Sequence, residues 1–201
     1  VLMAFCDGLD QDDAEYLISR GLTQETLKKF GVFSIKNFYK TKDFLLSQAS
    51  LEDLQCVGLF NLKGKFVFDT FGWQGFYHRI VFPFFSAGKV VYLQGRLPGT
   101  GDPRFMNLKL VPTRIYNEDA IAESIAAAKP VYICEGVIDA LTLIQRGYYA
   151  VGIIGTGGFK PEYIPLFKGA DVVLMFDGDK AGIEGSEKAK QMFFEHGQGV
   201  R

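Results

Sequence analysis

Val131-Tyr132-Ile133-Cys134-Glu135-Gly136-Val137-Ile138-Asp139 and, further on, Val172-Val173-Leu174-Met175-Phe176-Asp177-Gly178-Asp179-Lys180-Ala181-Gly182 decide the reading of this chain. Each is an apolar run that stops abruptly in acid and glycine. A strand covered on both faces of a parallel sheet reads as a continuous apolar run rather than an alternating one. Ligands of such sheets bind beyond the carboxyl ends of the strands. The two stretches are therefore expected to deliver Glu135, Asp177 and Asp179 to one rim. Carboxylates held together repel one another and favour protonation unless a cation neutralises them. A hard divalent ion suits them, Mg²⁺ first and Mn²⁺ as its substitute, because Mg²⁺ takes a few carboxylates and keeps waters for phosphate oxygens. Asp139, four residues after Glu135 on one helical face, is placed to orient that site or to add a ligand. The same acids have a second use: Asp179 before Lys180-Ala181, and Glu135 before the next segment, can cap helices.

Outward from these stretches the texture alternates. Residues 137–145 read as a helix stopped by Gly147, 150–154 as a second apolar run, and Pro161 as the first turn of a short helix over 162–167. Residues 181–195 form an amphipathic helix. Strands alternating with helices imply a parallel sheet with right-handed crossovers. Gly155-Thr156-Gly157-Gly158 follows the second strand; its bare backbone and the Thr156 hydroxyl suit an anion, and a plain connection is the alternative.

Upstream, Asp10, Thr23 and Ser50 each open a short helix, and Gly21, Gly31 and Gly58 close them. From about Gly64 the pattern becomes strand-like over 65–69, 80–85 and 89–97, with Ser86-Ala87-Gly88 as a hairpin turn. A loop at 98–103 and an extended segment at 104–111 follow, then an alanine-rich helix from Asn117 or Glu118 to about Ala128. Between Phe71 and Asn117 lie Arg79, Lys89, Arg96, Arg104, Lys109 and Arg114 against the single acid Asp102, a local charge of +5 in a chain whose net charge is −1. A mixed, mainly antiparallel sheet carrying this charge suits a phosphate-rich partner; a solvated basic face is the alternative.

Composition narrows the field. No apolar run approaches the roughly 20 residues of a membrane span. The three cysteines, Cys6, Cys56 and Cys134, have no CxxC spacing, which argues against a zinc site or disulfide framework and fits a reducing cytoplasm. His78 and His196 are solitary. Val1 is not a start residue, and the chain is expected to be a piece of something longer.

Cys134-Glu135-Gly136 with Asp139, then Gly155-Thr156-Gly157, then Phe176-Asp177-Gly178-Asp179 with Gly182, resembles the Toprim domain of bacterial-type primases, topoisomerases, OLD-family nucleases and recombination-repair proteins. Tyr16-Leu17 with Arg20-Gly21-Leu22, Gly58-Leu59, Arg79-Ile80-Val81-Phe82-Pro83-Phe84, Gly95-Arg96 and Arg104-Phe105-Met106-Asn107 resemble the bacterial primase catalytic core. The resemblance implies an α/β chain, with a Toprim-type parallel sheet flanked by helices over 129–201 preceded by a mixed α+β basic subdomain over 1–128. It implies Mg²⁺-dependent synthesis of short RNA primers from NTPs on single-stranded DNA, with a replicative helicase as partner. Glu135, Asp177 and Asp179 would be catalytic, and with Asp139 would hold metal; Glu135 would be the general base. Arg79, Arg96, Arg104, Asn107, Lys109, Gly155 and Thr156 would grip template or nucleotide, the basic sheet and the acidic rim forming one site. The family's lysine soon after Thr113 is missing. Its zinc-binding module and a further acidic pair are expected outside residues 1–201, so that the piece is expected to bind metal less fully than the parent protein and could be inactive alone. A Toprim nuclease, or a non-catalytic nucleic-acid-binding module of a mobile-element protein, are the competing readings.

Overall fold

A computed structural model describes residues 1–69, 79–99, 103–154 and 157–201. They fall into two compact units, 1–83 with 90–113, and 84–89 with 114–201.

The first unit begins with short helices: α1 (Leu2–Cys6), α2 (Gln11–Ser19) and α3 (Gln24–Lys29). Asp10 caps α2 by accepting from Asp12 N, and Thr23 caps α3 by accepting from Thr26 N, as their positions before each helix predict. A two-residue strand β1 (Phe33–Ser34) leads into α4 (Phe38–Gln48), and Ser50 caps α5 (Leu51–Cys56). α4 has no counterpart in the sequence reading. Its buried face is Phe38, Thr41 and Leu45, and the hydroxyl in the middle interrupts the apolar period.

Residues 65–69, expected as a strand, are not one. Phe60 and Phe66 make one isolated bridge, and the Asn61 carboxamide oxygen accepts from Lys63 N and Lys65 N, turning the chain. Phe66, Val67 and Phe68 are all buried, so the run is packed rather than alternating. The sheet consists of β1, β2 (Ile80–Ser86), β3 (Lys89–Arg96) and β4 (Phe105–Asn107), in that order. β1 runs antiparallel to β2, and β3 antiparallel to β4. Ala87 and Gly88, at φ of 48° and 73°, turn β2 into β3 with both residues left-handed, the geometry that matches strand twist. The segment expected to be extended over 104–111 leaves strand geometry after Asn107, and Leu110 has φ 66°.

The second unit holds α6 (Asp119–Ala126), β5 (Val131–Cys134), α7 (Val137–Ile144), β6 (Tyr149–Gly152), a 3₁₀ helix (Pro161–Phe167), β7 (Val172–Met175) and α8 (Lys180–Glu195). Pro165 inside the 3₁₀ segment lacks the N–H that a longer α-helix would need. The sheet is parallel in the order β6-β5-β7, with Val131 opposite both Tyr149 and Val172. β5 is thus central, which explains its uninterrupted apolar run. Val131, Ile133, Val151 and Val172 share a core with Ile121 of α6 and Phe193 of α8. In it, Phe159, Phe167 and Phe193 pack with ring centroids 5.1–6.1 Å apart. α7 packs on β5 and β6 through buried Val137, Ile138, Ala140 and Leu141. Beside β7, Arg201 N donates to Val172 O and Leu174 N donates to Arg201 O, the pattern of a parallel neighbour.

Candidate functional site

Because β5 and β7 are parallel neighbours in register, Cys134 opposite Met175, their carboxyl ends emerge side by side. Glu135 follows one and Asp177 the other. The Asp177 N–H donates to Glu135 Oε1 at 2.9 Å, tying the two strand ends together. Asp179 caps α8, its Oδ1 accepting from Gly182 N at 2.8 Å, and the adjacent macrodipole favours its charge. The capping use read from the sequence is therefore real for Asp179, where it occupies one oxygen of a candidate ligand, but not for Glu135, because α7 has Gly136 at its N-cap and no side-chain cap. Asp139 is exposed in the first turn of α7, and a Cβ on Gly136 would come within 2.9 Å of its Oδ2. Its carboxylate thus leans over the helix start, which has no side-chain cap of its own.

The Glu135 carboxyl is raised above its ordinary range. Partial burial is the main cause; the Asp177 N–H opposes it, and the charges of Asp177, Asp179 and Asp139 add to it. The three aspartates thus act electrostatically on Glu135. Their oxygens are the hard donors a divalent ion takes. Among the described residues, however, no three acid, His or Cys side chains converge closely enough to hold an ion as they stand. Burial pushes the neighbouring Cys134 thiol up to about 12, with Asp139 contributing, which leaves it an inert packing group.

Gly182 had no role assigned from the sequence. A Cβ there would lie 2.1 Å from the Asp177 carbonyl oxygen and 2.6 Å from Glu135 Oε1. Glycine lets the first turn of α8 close over both groups. The signal was its place three residues after the helix cap.

Of the basic residues, Arg79, Arg96, Arg104 and Lys109 lie in the first unit, and Lys89 and Arg114 in the second. Arg79 Nε donates to Asp13 Oδ1 at 2.6 Å; Asp13 is fully buried and also accepts from Ser34 Oγ at 2.6 Å. Arg96 is only 5% exposed. Its Nε and Nη2 donate to Tyr16 Oη at 3.1 and 2.7 Å, and its guanidinium lies 4.7 Å from the Phe105 ring centre. Among the described residues no carboxylate ion-pairs with it. Asp13 and Tyr16 share one face of α2, so a single helix positions both arginines; neither contact, across 66 and 80 residues, has a sequence signal. Arg104 and Lys109 are exposed, and Asn107 Oδ1 accepts from Gln94 Nε2 across the β3–β4 pair at 2.9 Å. Lys109 N donates to Gly58 O, where a Cβ would lie 2.5 Å from the Lys109 carbonyl oxygen. Gly155, Thr156, His78 and positions 100–102 of the expected loop lie outside the described residues. A concavity of about 700 Å³ among Met3, Leu9, Leu27 and Phe33 holds none of the sequence-predicted site residues.

A parallel sheet whose central and edge strands end in Glu135 and in Asp177-Gly178-Asp179, followed by a close-packed helix, defines a Toprim-type domain. Residues 132–201 match the family model described as Toprim-like, and residues 7–120 the one described as DNA primase catalytic core, N-terminal domain. The chain belongs to the DNA primase catalytic core family. It is 31% identical over 197 residues to a DNA primase of Enterococcus faecalis, a match over 90% of this chain and 31% of the relative. The chain thus spans about a third of the length of the curated primases it matches. The fold is similar to that of the Aquifex aeolicus primase zinc-binding and RNA polymerase domains, at TM-score 0.80 and 21% identity, covering 99% of this chain and 51% of that one. It is likewise similar to a DnaG primase catalytic domain solved bound to single-stranded DNA, at TM-score 0.71 and 23% identity, covering 100% and 67%.

Proposed function

We propose that this chain is the core of a DNA primase, joining ribonucleotides into short RNA primers on a single-stranded DNA template. The observation that carries this is the pairing of Glu135 with the Asp177 backbone at the carboxyl ends of adjacent parallel strands. The primase match over residues 7–120 favours this reading over a Toprim nuclease, and the intact acid set favours it over a non-catalytic binding module. Glu135, Asp177 and Asp179, with Asp139 beside them, would hold a divalent cation, Mg²⁺ in preference. When bound, the cation supplies positive charge for a nucleoside triphosphate's oxygens. Glu135, with its raised affinity for a proton, is suited to accept one from the attacking hydroxyl. The Asp177 N–H holds the Glu135 carboxylate in orientation, and Gly182 allows the helix to close on it. Arg79, Arg104, Asn107 and Lys109 contact template or nucleotide phosphates, with Gly155 and Thr156 as a further phosphate contact. Arg96, buried between aromatic rings, fixes the shape of that surface and brings its charge to it. No helix among the described residues is long and apolar enough to cross a membrane. A cytoplasmic replication protein working with a helicase fits this assignment.

The test measures three things side by side: Mg²⁺ binding by calorimetry, binding of single-stranded DNA, and incorporation of labelled ribonucleotides on a single-stranded template, with a nuclease assay as comparison. Metal binding lost in Asp177→Asn with Asp179→Asn, and primer synthesis lost in Glu135→Gln, are expected. Nucleolytic cleavage without ribonucleotide incorporation would assign the site to the nuclease class. Absence of both metal and DNA binding in the wild-type chain would refute the reading.

A further inference from the structure

Just before and within the start of α4, the first unit has a concavity of about 290 Å³ lined by Ile35, Lys36, Asn37, Phe38, Tyr39 and Arg79. Three of its properties point to one kind of ligand. The lining includes two cations and no acid. Tyr39 is 70% exposed, yet it is held on a rigid base: Phe38 beside it is buried, with its ring centroid 6.2 Å from that of Phe66, and Asn37 caps the helix through Lys40 N. The Arg79 guanidinium is oriented from beneath by Asp13, which takes only its Nε and leaves the terminal nitrogens to other partners.

We propose that this concavity is a contact point for single-stranded nucleic acid, with backbone phosphate on Lys36 and Arg79 and one base stacked on Tyr39. A cation pair beside a firmly mounted, solvent-facing aromatic ring is the combination that grips an unpaired strand, since every base offers a flat face and every linkage a charge. A duplex keeps its base faces stacked inside and cannot use Tyr39. The volume, at the low end for ligand sites, suits a single base rather than a whole nucleotide triphosphate. The pocket extends the nucleic-acid reading of the first unit to Lys36 and Tyr39, two residues outside the acidic rim and the basic segment, and it rests on that reading.

The test uses the 201-residue chain and fluorescence anisotropy with two labelled probes of equal length, a thymidine oligonucleotide and an abasic deoxyribose-phosphate oligomer, each titrated across salt. Tyr39→Ala is expected to weaken thymidine-strand binding by about 5- to 150-fold, to leave the abasic probe unaffected and to keep the salt slope. Tyr39→Phe, which keeps the ring, restores wild-type binding. Lys36→Ala lowers the salt slope by about 0.7 on both probes, the share of one phosphate contact on a single strand. Because both side chains are exposed, unchanged melting curves check that each variant folds. If the wild type binds with strong salt dependence and Tyr39→Ala and Lys36→Ala bind as it does, the pocket is not a contact point, while the broader nucleic-acid reading stands. Equal losses on both probes for Tyr39→Ala overturn the stacking role. No binding of either probe by the wild type removes the underlying reading, and this pocket with it.

Discussion

Gly182→Ala adds one methyl group at the tightest place on the acidic rim. The new carbon would stand 2.1 Å from the Asp177 carbonyl oxygen, 2.8 Å from the Asp177 carbonyl carbon and 2.6 Å from Glu135 Oε1. The first two contacts are backbone and cannot swing away, so either the start of α8 or the Asp177 turn must move. An added methyl group that forces such a shift costs about 1–3 kcal/mol. In a chain of this size that corresponds to a melting point lower by roughly 2–12 °C. The third contact concerns function: relieving it moves the Glu135 carboxylate off the Asp177 N–H, and the cation site loses the orientation that this bond gives Glu135. Gly178→Ala is the control, because a Cβ at Gly178 meets nothing within 4 Å. The assay is a thermal melt followed by circular dichroism, paired with Mg²⁺ titration by calorimetry. Gly182→Ala should lose both stability and metal binding, and Gly178→Ala neither. Equal behaviour of the two variants, in either measurement, refutes the argument that the close approach of α8 organises the site.

Glu135→Gln keeps an oxygen for the Asp177 N–H but removes the charge. The Glu135 carboxyl binds its proton more tightly folded than unfolded, so its stabilising contribution is present below its ordinary value of 4.5 and is lost as pH rises through the raised folded value. Without metal, Glu135→Gln should therefore be more stable than wild type near pH 7 and equal to it near pH 4; equal melting points at both pH values would contradict this. Arg79→Ala strands the fully buried Asp13 with Ser34 as its remaining partner and should cost about 3 kcal/mol in urea unfolding, so its effect on DNA binding must be read beside Lys109→Ala, which touches only an exposed side chain. Arg104→Ala and Lys109→Ala should each lower the salt slope of single-strand binding by about 0.7 and leave the melting point unchanged; unaltered slopes would remove them from the interface.

The acidic rim was legible in the sequence because both of its strands are uninterrupted apolar runs that pass in a single step, at Cys134 and Phe176, to acid and glycine, although β7 at the sheet edge is covered less fully than β5 and leaves Met175 exposed. The helix caps at Asp10, Thr23, Ser50 and Asp179 were legible for the same local reason: a short polar side chain and the N–H it serves lie two or three residues apart. What lay hidden depends on distance or on mixed signals. Phe66-Val67-Phe68 has the composition of a strand, but its backbone follows a turn set by the Asn61 side chain, which composition does not reveal. α4 carries a buried Thr41 in its apolar face and so loses its period. Arg96 reads as a template or nucleotide contact, and its sheathing by Tyr16 and Phe105, the first of them 80 residues away, carries no sequence signal.

The rim asks two things of the same atoms. Asp179 holds the N–H of Gly182 and so starts the 16-residue helix α8, while its charge is wanted for a cation. Glu135 holds the Asp177 N–H, and in doing so stays partly buried among three other acids that disfavour its ionised form. Substitution can separate the two duties. Asp179→Ala removes cap and ligand together and should cost about 1 kcal/mol of stability as well as metal affinity. Asp179→Ser keeps a capping oxygen without the charge, so it should recover the melting point but not the Mg²⁺ binding. If serine recovers both, the Asp179 carboxylate is only a cap, and the cation must be held by Glu135 and Asp177 without it. If serine recovers neither, the capping bond to Gly182 is not what stabilises α8. Recovery of stability alone is the result expected of a site whose ligands first build the fold around them.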